Sequence, residues 1–167
     1  MKFLLVIMEE EIYVTLGCGD KFDPTKFEAP RNRDFFCKPW GGLWSSPVGS
    51  KWGWRDWVMS EMPQWMEERY GLSEFKFKFN RRARIYTIDS PYDLLKIPHK
   101  IKGTLMTACF GDLIDFEKMA SYGFDAIYLT ADGERTTRFS DYEYGMSLYG
   151  WDCECLLVLR PENIEVM

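Results

Sequence analysis

The chain has 167 residues, a formal net charge of −5 and 46% hydrophobic residues, which suits one domain spanning residues 1–167. No apolar run reaches the roughly 20 residues that a membrane span needs, and no basic block exceeds Arg81-Arg82, which disfavours nucleic acid as the main partner. The five cysteines are scattered and His99 is the only histidine, so neither a disulfide framework nor a metal site is expected. Acidic residues 9–11 follow the first apolar run where a signal peptide would carry small residues, so we expect a cytoplasmic protein.

The first half of the chain predicts strands separated by a long loop. The continuous apolar run at residues 2–8 favours a buried strand, and residues 11–17 favour a second strand that ends in a glycine turn. Residues 20–39 contain three prolines and many charges and are expected to form a loop. From Trp54 onward apolar residues recur at helical spacing, and Pro63 predicts a kink or break near Met62. Strict alternation at residues 74–80 predicts a half-buried strand.

The second half predicts more strands and only short helices. Strands are expected at residues 84–88, 124–130 and 152–160, helices at 92–96 and 116–121, and a turn at 131–133. Residues 103–112 and 134–150 give no clear prediction. The resulting fold class is α+β, with a mostly antiparallel β core split into two sheets and a few short helices.

Glycine and tryptophan are concentrated in residues 38–57, KPWGGLWSSPVGSKWGWRDW. Gly41 and Gly42 allow close backbone approach, and Trp44 followed by Ser45 and Ser46 offers an aromatic face beside two hydroxyls. One hypothesis is a binding wall for a flat, polar ligand. The alternative is a hairpin whose serines cap the following helix.

Two further groups of charged residues are candidates for chemistry. Asp152 and Glu154 are two residues apart, so in a strand both carboxylates would lie on one face; the alternative is a solvated strand end. Arg31, Arg33 and Lys38 form a cationic set on the loop before the glycines, and its alternative is a set of solvated surface charges.

The order of these segments resembles the ADP-ribosyltransferase superfamily, particularly small bacterial and phage-type members. An early strand ends in glycine (YVTLG), a long loop leads to GGLWSSP and an aromatic-rich helix, and FEKMASYGFDAIYLT precedes LYGWDCECLLVLRPENI. The likeness covers most of the chain in its order of elements, and the carboxy-terminal pair of motifs is the most specific. This chain departs from the family at Tyr13-Val14-Thr15, where members usually carry Arg or His.

The resemblance implies an NAD site and a role for each matching residue. Glu154 would be the catalytic carboxylate with Asp152 as its polar partner. The backbone of Gly17 would hold the nicotinamide carboxamide, and Ser45 and Ser46 would support the ribose. The remaining residues expected to bind NAD are Thr15, Lys38, Gly42, Trp44 and Tyr149.

The implied reaction cleaves the nicotinamide–ribose bond through an oxocarbenium-like state, which a carboxylate stabilises without a metal. The implied partners are NAD and an ADP-ribose acceptor, for which a protein is favoured over nucleic acid, and no membrane is implied. With water as acceptor the enzyme would be a glycohydrolase. Two alternatives remain open: a non-enzymatic nucleotide- or partner-binding protein on a degenerate form of this fold, and a sugar- or nucleobase-binding module that uses the tryptophans.

Overall fold

A computed structural model describes residues 11–34, 36–64, 73–100 and 111–167. The strand expected at residues 2–8, most of the segment 103–112 and the end of the helical pattern at Trp65 and Met66 lie outside these residues. In the described part, strands of a curled seven-stranded sheet alternate with short helices, so the fold is mixed α+β. No helix there is long and apolar enough to cross a membrane.

The strands of the large sheet are mostly antiparallel. They are β1 (Tyr13–Leu16), β2 (Leu43–Pro47), β3 (Glu74–Phe79), β4 (Ile85–Ile88), β7 (Ala126–Leu129), β8 (Cys155–Val158) and β9 (Ile164–Val166). Their order is β4-β7-β8-β2-β1-β3-β9, and within it only β4 and β7 pair in parallel. A second, two-stranded sheet joins β5 (His99–Lys100) to β6 (Leu113–Ile114).

Five short α-helices flank the strands in the described ranges: α1 (Trp54–Glu61), α2 (Pro91–Leu94), α3 (Phe116–Ser121), α4 (Ala131–Thr137) and α5 (Asp141–Tyr144). A 3-10 turn at Pro24–Lys26 interrupts the long loop. The helix α1 ends before Pro63, with Met62 as its C-cap, because proline cannot supply the next backbone donor. The break expected near Met62 is therefore confirmed.

Residues 131–133 were expected to form a turn, and this prediction is wrong. They form the first turn of α4, where the Thr130 hydroxyl accepts a hydrogen bond from the Gly133 amide at 2.9 Å. Gly133 is needed for packing, because a Cβ there would come within 2.1 Å of the Ile88 carbonyl oxygen. The sequence alone does not distinguish a glycine that is needed because a neighbouring strand lies close from a glycine that is needed in a turn.

Alternation along the strands divides the buried side chains between two faces of the sheet. We call these faces A and B. Face A carries Trp44, Trp151, Cys155 and Leu157 and is covered by the buried side chains of α3. Face B carries Tyr13, Phe77, Tyr128, Leu156 and Val158. In β3 the alternation matches the sequence pattern, since Phe75 and Phe77 are buried while Lys76 and Lys78 are exposed.

Candidate functional site

Glu154 lies just before β8, on face B. The strand begins at Cys155 rather than at residue 152, so Asp152 and Glu154 lie in the irregular segment that leads into it. The Tyr128 phenol donates a hydrogen bond to Glu154 Oε1. Tyr128 stands opposite Leu156 in the β7–β8 register, which brings its ring beside the Glu154 side chain.

The backbone of Glu154 is held from two directions. Its amide donates to the Trp52 carbonyl at 3.1 Å, and its carbonyl accepts a hydrogen bond from the Ser46 hydroxyl at 2.7 Å. The segment before β8 is therefore fixed to the turn that precedes α1. This support comes from residues about 100 positions earlier in the chain.

The surroundings of Glu154 on face B are negative. Burial and then the charge of Glu154 raise the pKa of Glu11 above its ordinary value of 4.5. Burial, followed by the charges of Glu11 and Glu154, also raises the pKa of Tyr13. Among the described residues no lysine or arginine forms an ion pair with either glutamate. The carboxylates of Glu11 and Glu154 therefore lie together, and no basic side chain of the described residues balances their charge.

Two hydroxyl groups on β1 add unsatisfied polar atoms to the same face. Tyr13 and Thr15 are 1% and 0% exposed, and neither hydroxyl has a hydrogen-bond partner in the described structure. Both side chains lie on face B, because Tyr13 stands opposite Phe77 and Thr15 opposite Phe75. A buried hydroxyl without a partner costs free energy, and a bound water is the partner that such enclosed groups take.

Ser45 and Ser46 are buried and point to opposite faces. The Ser45 hydroxyl donates to the Leu156 carbonyl at 3.2 Å across the β2–β8 pair. The Ser46 hydroxyl accepts a hydrogen bond from the Trp54 amide at 2.8 Å, at the start of α1. Ser46 thus caps the following helix, which was the alternative to ligand binding. A role for Ser45 and Ser46 in supporting the ribose stays a prediction.

Both glycines expected to bind the ligand use their amides within the protein. The Gly17 amide donates to the Ser73 carbonyl at 3.0 Å, and the Gly42 amide donates to the Glu28 carbonyl at 2.7 Å. Gly42 has φ +72°, and a Cβ there would come within 2.5 Å of a Leu157 methyl group. The close approach that Gly42 permits in this structure is to β8.

Three of the five tryptophans of the glycine-rich segment lie on face A, away from the Glu154 carboxylate: Trp44, Trp54 and Trp57. Trp44 stands opposite Leu157 and packs its ring against the edge of Trp151 at a centroid distance of 4.8 Å. Trp44 therefore faces away from the Glu154 carboxylate, because side chains alternate along β2 and β8.

Lys38 also lies on face A, in a crevice with two tryptophans from the same segment. The crevice is lined by Lys38, Trp44, Ser45, Trp54, Trp151, Asp152, Cys153 and Cys155. Its cavity volume is about 10 Å³, which is about enough for one water molecule. A nicotinamide ring does not fit inside it as the side chains stand.

Asp152 and Glu154 have different partners despite their spacing. Asp152 Oδ1 forms an ion pair with Arg138 at 2.9 Å, and Arg138 also pairs with Glu134 at 3.0 Å. Tyr149 lies on this side of the molecule, 42% exposed, with its ring 5.7 Å from that of Phe139. The same-face expectation for the two carboxylates depended on a strand that begins only after both of them.

The three loop cations do not converge on one point. Arg33 stacks between Phe36 and Trp40, at 3.8 and 4.1 Å from the ring centroids, while Lys38 turns toward the tryptophans of face A. Arg31 is exposed, and its backbone forms paired hydrogen bonds of 2.9 Å with Trp40. A shared role for the set in binding one diphosphate therefore has no geometric support in this structure.

Sequence reasoning missed Glu11, Tyr13 and Tyr128 as neighbours of Glu154. They come from β7 and from the chain around the start of β1, and their proximity depends on strand order, which no local pattern carries. The only local signal is a tyrosine at an inward position of each strand.

Comparisons with known proteins give no match. No protein-family model matches the chain, and neither a curated protein nor a solved structure is significantly similar to it. In the described residues, no group of three or more histidine, cysteine or acidic side chains has the arrangement of a metal site.

Proposed function

We propose that the protein transfers ADP-ribose from NAD, on an ADP-ribosyltransferase-like fold, with Glu154 as the catalytic carboxylate on face B. The observation that carries the proposal is the pair of carboxylates at this site, Glu11 and Glu154, with which no lysine or arginine of the described residues forms an ion pair. Burial and then the charge of Glu154 raise the pKa of Glu11, and the Tyr128 hydroxyl donates a hydrogen bond to one oxygen of the Glu154 carboxylate. A site of this kind favours a group that becomes positively charged during the reaction.

The proposed reaction generates such a charge at the ribose. The bond between ribose C1′ and the nicotinamide nitrogen breaks, and its electron pair leaves with neutral nicotinamide. The ribosyl centre then resembles an oxocarbenium ion, which the Glu154 carboxylate stabilises. An acceptor on a protein attacks C1′ from the opposite face and loses a proton; if water attacks instead, the products are ADP-ribose, nicotinamide and a proton.

Other residues of face B have supporting parts in this proposal. The Tyr128 hydroxyl orients the carboxylate. The hydroxyls of Tyr13 and Thr15 are enclosed beneath the same face, so they shape the surroundings of the site without contacting the ribose. The ADP-ribosyltransferase superfamily, which this chain resembles, usually carries Arg or His on the early strand, where this chain has Thr15. Under the proposal, another part of the protein must therefore bind the diphosphate of NAD.

A second candidate function is a non-enzymatic nucleotide- or partner-binding protein on the same fold. The observation that favours it is the separation of Trp44, Trp54 and Trp57 from the Glu154 carboxylate, which lies on the other face of the sheet. Lys38 and Trp44 lie on face A, and the crevice between them has room for about one water molecule. A protein that only binds a ligand needs no catalytic carboxylate beside these tryptophans.

The deciding experiment is incubation with NAD and chromatographic measurement of free nicotinamide. Under the proposal the native protein releases nicotinamide, and Glu154→Gln lowers the rate by about 100- to 1,000-fold. Glu61→Gln is the matched control, because it makes the same change on the exposed end of α1. NAD binding without turnover supports the second candidate, and full turnover by Glu154→Gln excludes Glu154 as the catalytic residue.

A further inference from the structure

Lys38 places its ammonium group among three tryptophan rings on face A. Its Nζ lies 5.5, 5.7 and 5.9 Å from the ring centroids of Trp44, Trp54 and Trp57. Trp54 and Trp57 stack with their centroids 5.1 Å apart and their planes 8° from parallel. All four side chains are half-buried, so the rings hold the cation at the mouth of the crevice rather than in the core.

The ammonium has no carboxylate partner among the described residues. The one carboxylate that lines the crevice belongs to Asp152, and it forms its ion pair with Arg138 at 2.9 Å. Aromatic faces attract a cation but present no oxygen to its three N–H donors. Lys38 is thus partly desolvated and still able to donate to an anion, the combination that gives a strong charge-assisted hydrogen bond.

The size of the crevice indicates which kind of anion fits. A cavity of about 10 Å³ admits about one oxygen-sized group beside Nζ and no aromatic ring. The half-exposed indole faces around it offer stacking surfaces to a flat group that stays at the rim. A ligand with a phosphate oxygen and a planar base attached to it satisfies both features.

We propose that Lys38, Trp44, Trp54 and Trp57 form a nucleotide-binding site in which a phosphate oxygen takes the Lys38 ammonium and the base stacks on an indole. The site lies on face A, across the sheet from the Glu154 carboxylate. It does not rest on the transferase proposal, because it needs neither NAD nor turnover, and it gives the second candidate function a defined site. Asp152 bounds the site on one side and is neutralised by Arg138.

The test is equilibrium binding of ADP, followed by tryptophan fluorescence and by calorimetry. The native protein should bind ADP saturably, and the affinity should fall as salt is raised. Lys38→Met keeps an unbranched apolar stem but removes the charge, and should weaken ADP binding by about 10- to 100-fold. Lys38→Arg, which keeps a cation, should retain affinity within about threefold.

Control variants and ligand fragments separate the contributions of Lys38, the base and the phosphates to ADP binding. Lys51→Met removes an exposed lysine of the turn before α1 and should bind ADP like the native protein. Glu61→Gln, which changes an exposed carboxylate at the end of α1, should also bind ADP like the native protein. Adenosine should bind more weakly than ADP and should not respond to Lys38→Met, and pyrophosphate should bind more weakly than ADP because it lacks a base.

Several results would overturn the proposal. They are the absence of saturable ADP binding, unchanged affinity in Lys38→Met with a native near-ultraviolet spectrum, and pyrophosphate binding as tight as that of ADP. If Lys38→Met does not fold, loss of binding in Lys38→Arg to the level of adenosine would have the same consequence.

Discussion

The phenol of Tyr128 on β7 donates a hydrogen bond to the carboxylate of Glu154 at the start of β8. The two residues are 26 positions apart in the chain and meet because β7 and β8 are antiparallel neighbours. Burial and the hydrogen bond to Glu154 both raise the pKa of Tyr128, so this phenol stays protonated as a donor across the physiological pH range.

Tyr128→Phe should preserve the fold and lower nicotinamide release by about 10-fold, because the carboxylate loses the donor that orients it. A positioning role should lower kcat and leave KM for NAD nearly unchanged, because the oriented carboxylate is needed in the transition state rather than for substrate binding. A purely structural role would instead reduce the amount of folded protein. Tyr86→Phe is the control, since it removes a hydrogen bond of 2.7 Å to the Asp93 backbone. Equal effects of the two variants would argue against a positioning role.

Glu11→Gln should raise the melting temperature at pH 7 by about 1–3 °C, less than about 1 kcal/mol for a chain of this size. The pKa of Glu11 is raised in the folded protein, so its protonated form favours the native state. That stabilisation is complete below the ordinary value of 4.5 and is lost as pH rises through the higher folded value. The advantage of the variant should therefore shrink as pH falls to 4. Calorimetric scans at both pH values check this, and an advantage that is independent of pH would contradict it.

Ser46→Ala should lower the free energy of unfolding by about 1–3 kcal/mol. The Ser46 side chain is 2% exposed, and its hydroxyl joins the Trp54 amide at 2.8 Å to the Glu154 carbonyl at 2.7 Å. Alanine leaves both groups without that partner. Ser60→Ala, at an exposed position on α1, should change stability by no more than about 0.5 kcal/mol. Urea denaturation measures both, and equal midpoints would show that Ser46 does not hold these segments together.

Gly42→Ala should destabilise the fold by about 2–4 kcal/mol. The residue adopts φ +72°, which costs an alanine about 1–2 kcal/mol, and the new methyl group would come within 2.5 Å of Leu157. Gly49→Ala is the matched control, because that position has no neighbour within 4 Å. Denaturant midpoints compare the two, and a Gly42→Ala protein as stable as Gly49→Ala would show that the backbone relaxes freely at this point.

Local sequence patterns predicted most elements because local physics determines them. The alternation in β3 and the helix at residues 116–121, which Asp115 caps, follow directly from the residues. The start of β8 was predicted three residues too early, since acidic residues 152 and 154 alternate with buried cysteines as a strand would. The bends at residues 153–154 depend on tertiary contacts to Trp52 and Ser46.

The candidate site was only partly predictable for a related reason. Glu154 and Ser45 could be singled out by residue type, but the face that each side chain occupies depends on where its strand begins and on its register. Trp44 therefore lies on face A although it directly precedes Ser45 in the sequence. The neighbours of Glu154 depend on strand order, which residue spacing does not encode.

The pairing of β2 with β8 also limits how much of the sheet can fold while the chain is being synthesised. Ser45 and Leu156 are joined by a hydrogen bond although they are 111 residues apart. On the ribosome, β2 emerges long before its partner exists, so one edge of β1–β2 stays open until almost the whole chain has been translated. Contacts of such long range slow folding and leave unpaired strand edges exposed to other chains. A truncation that removes the last 13 residues, β8 among them, would leave a nearly full-length product in which β2 pairs only with β1 and β7 only with β4, so that each has one open edge at the centre of the sheet.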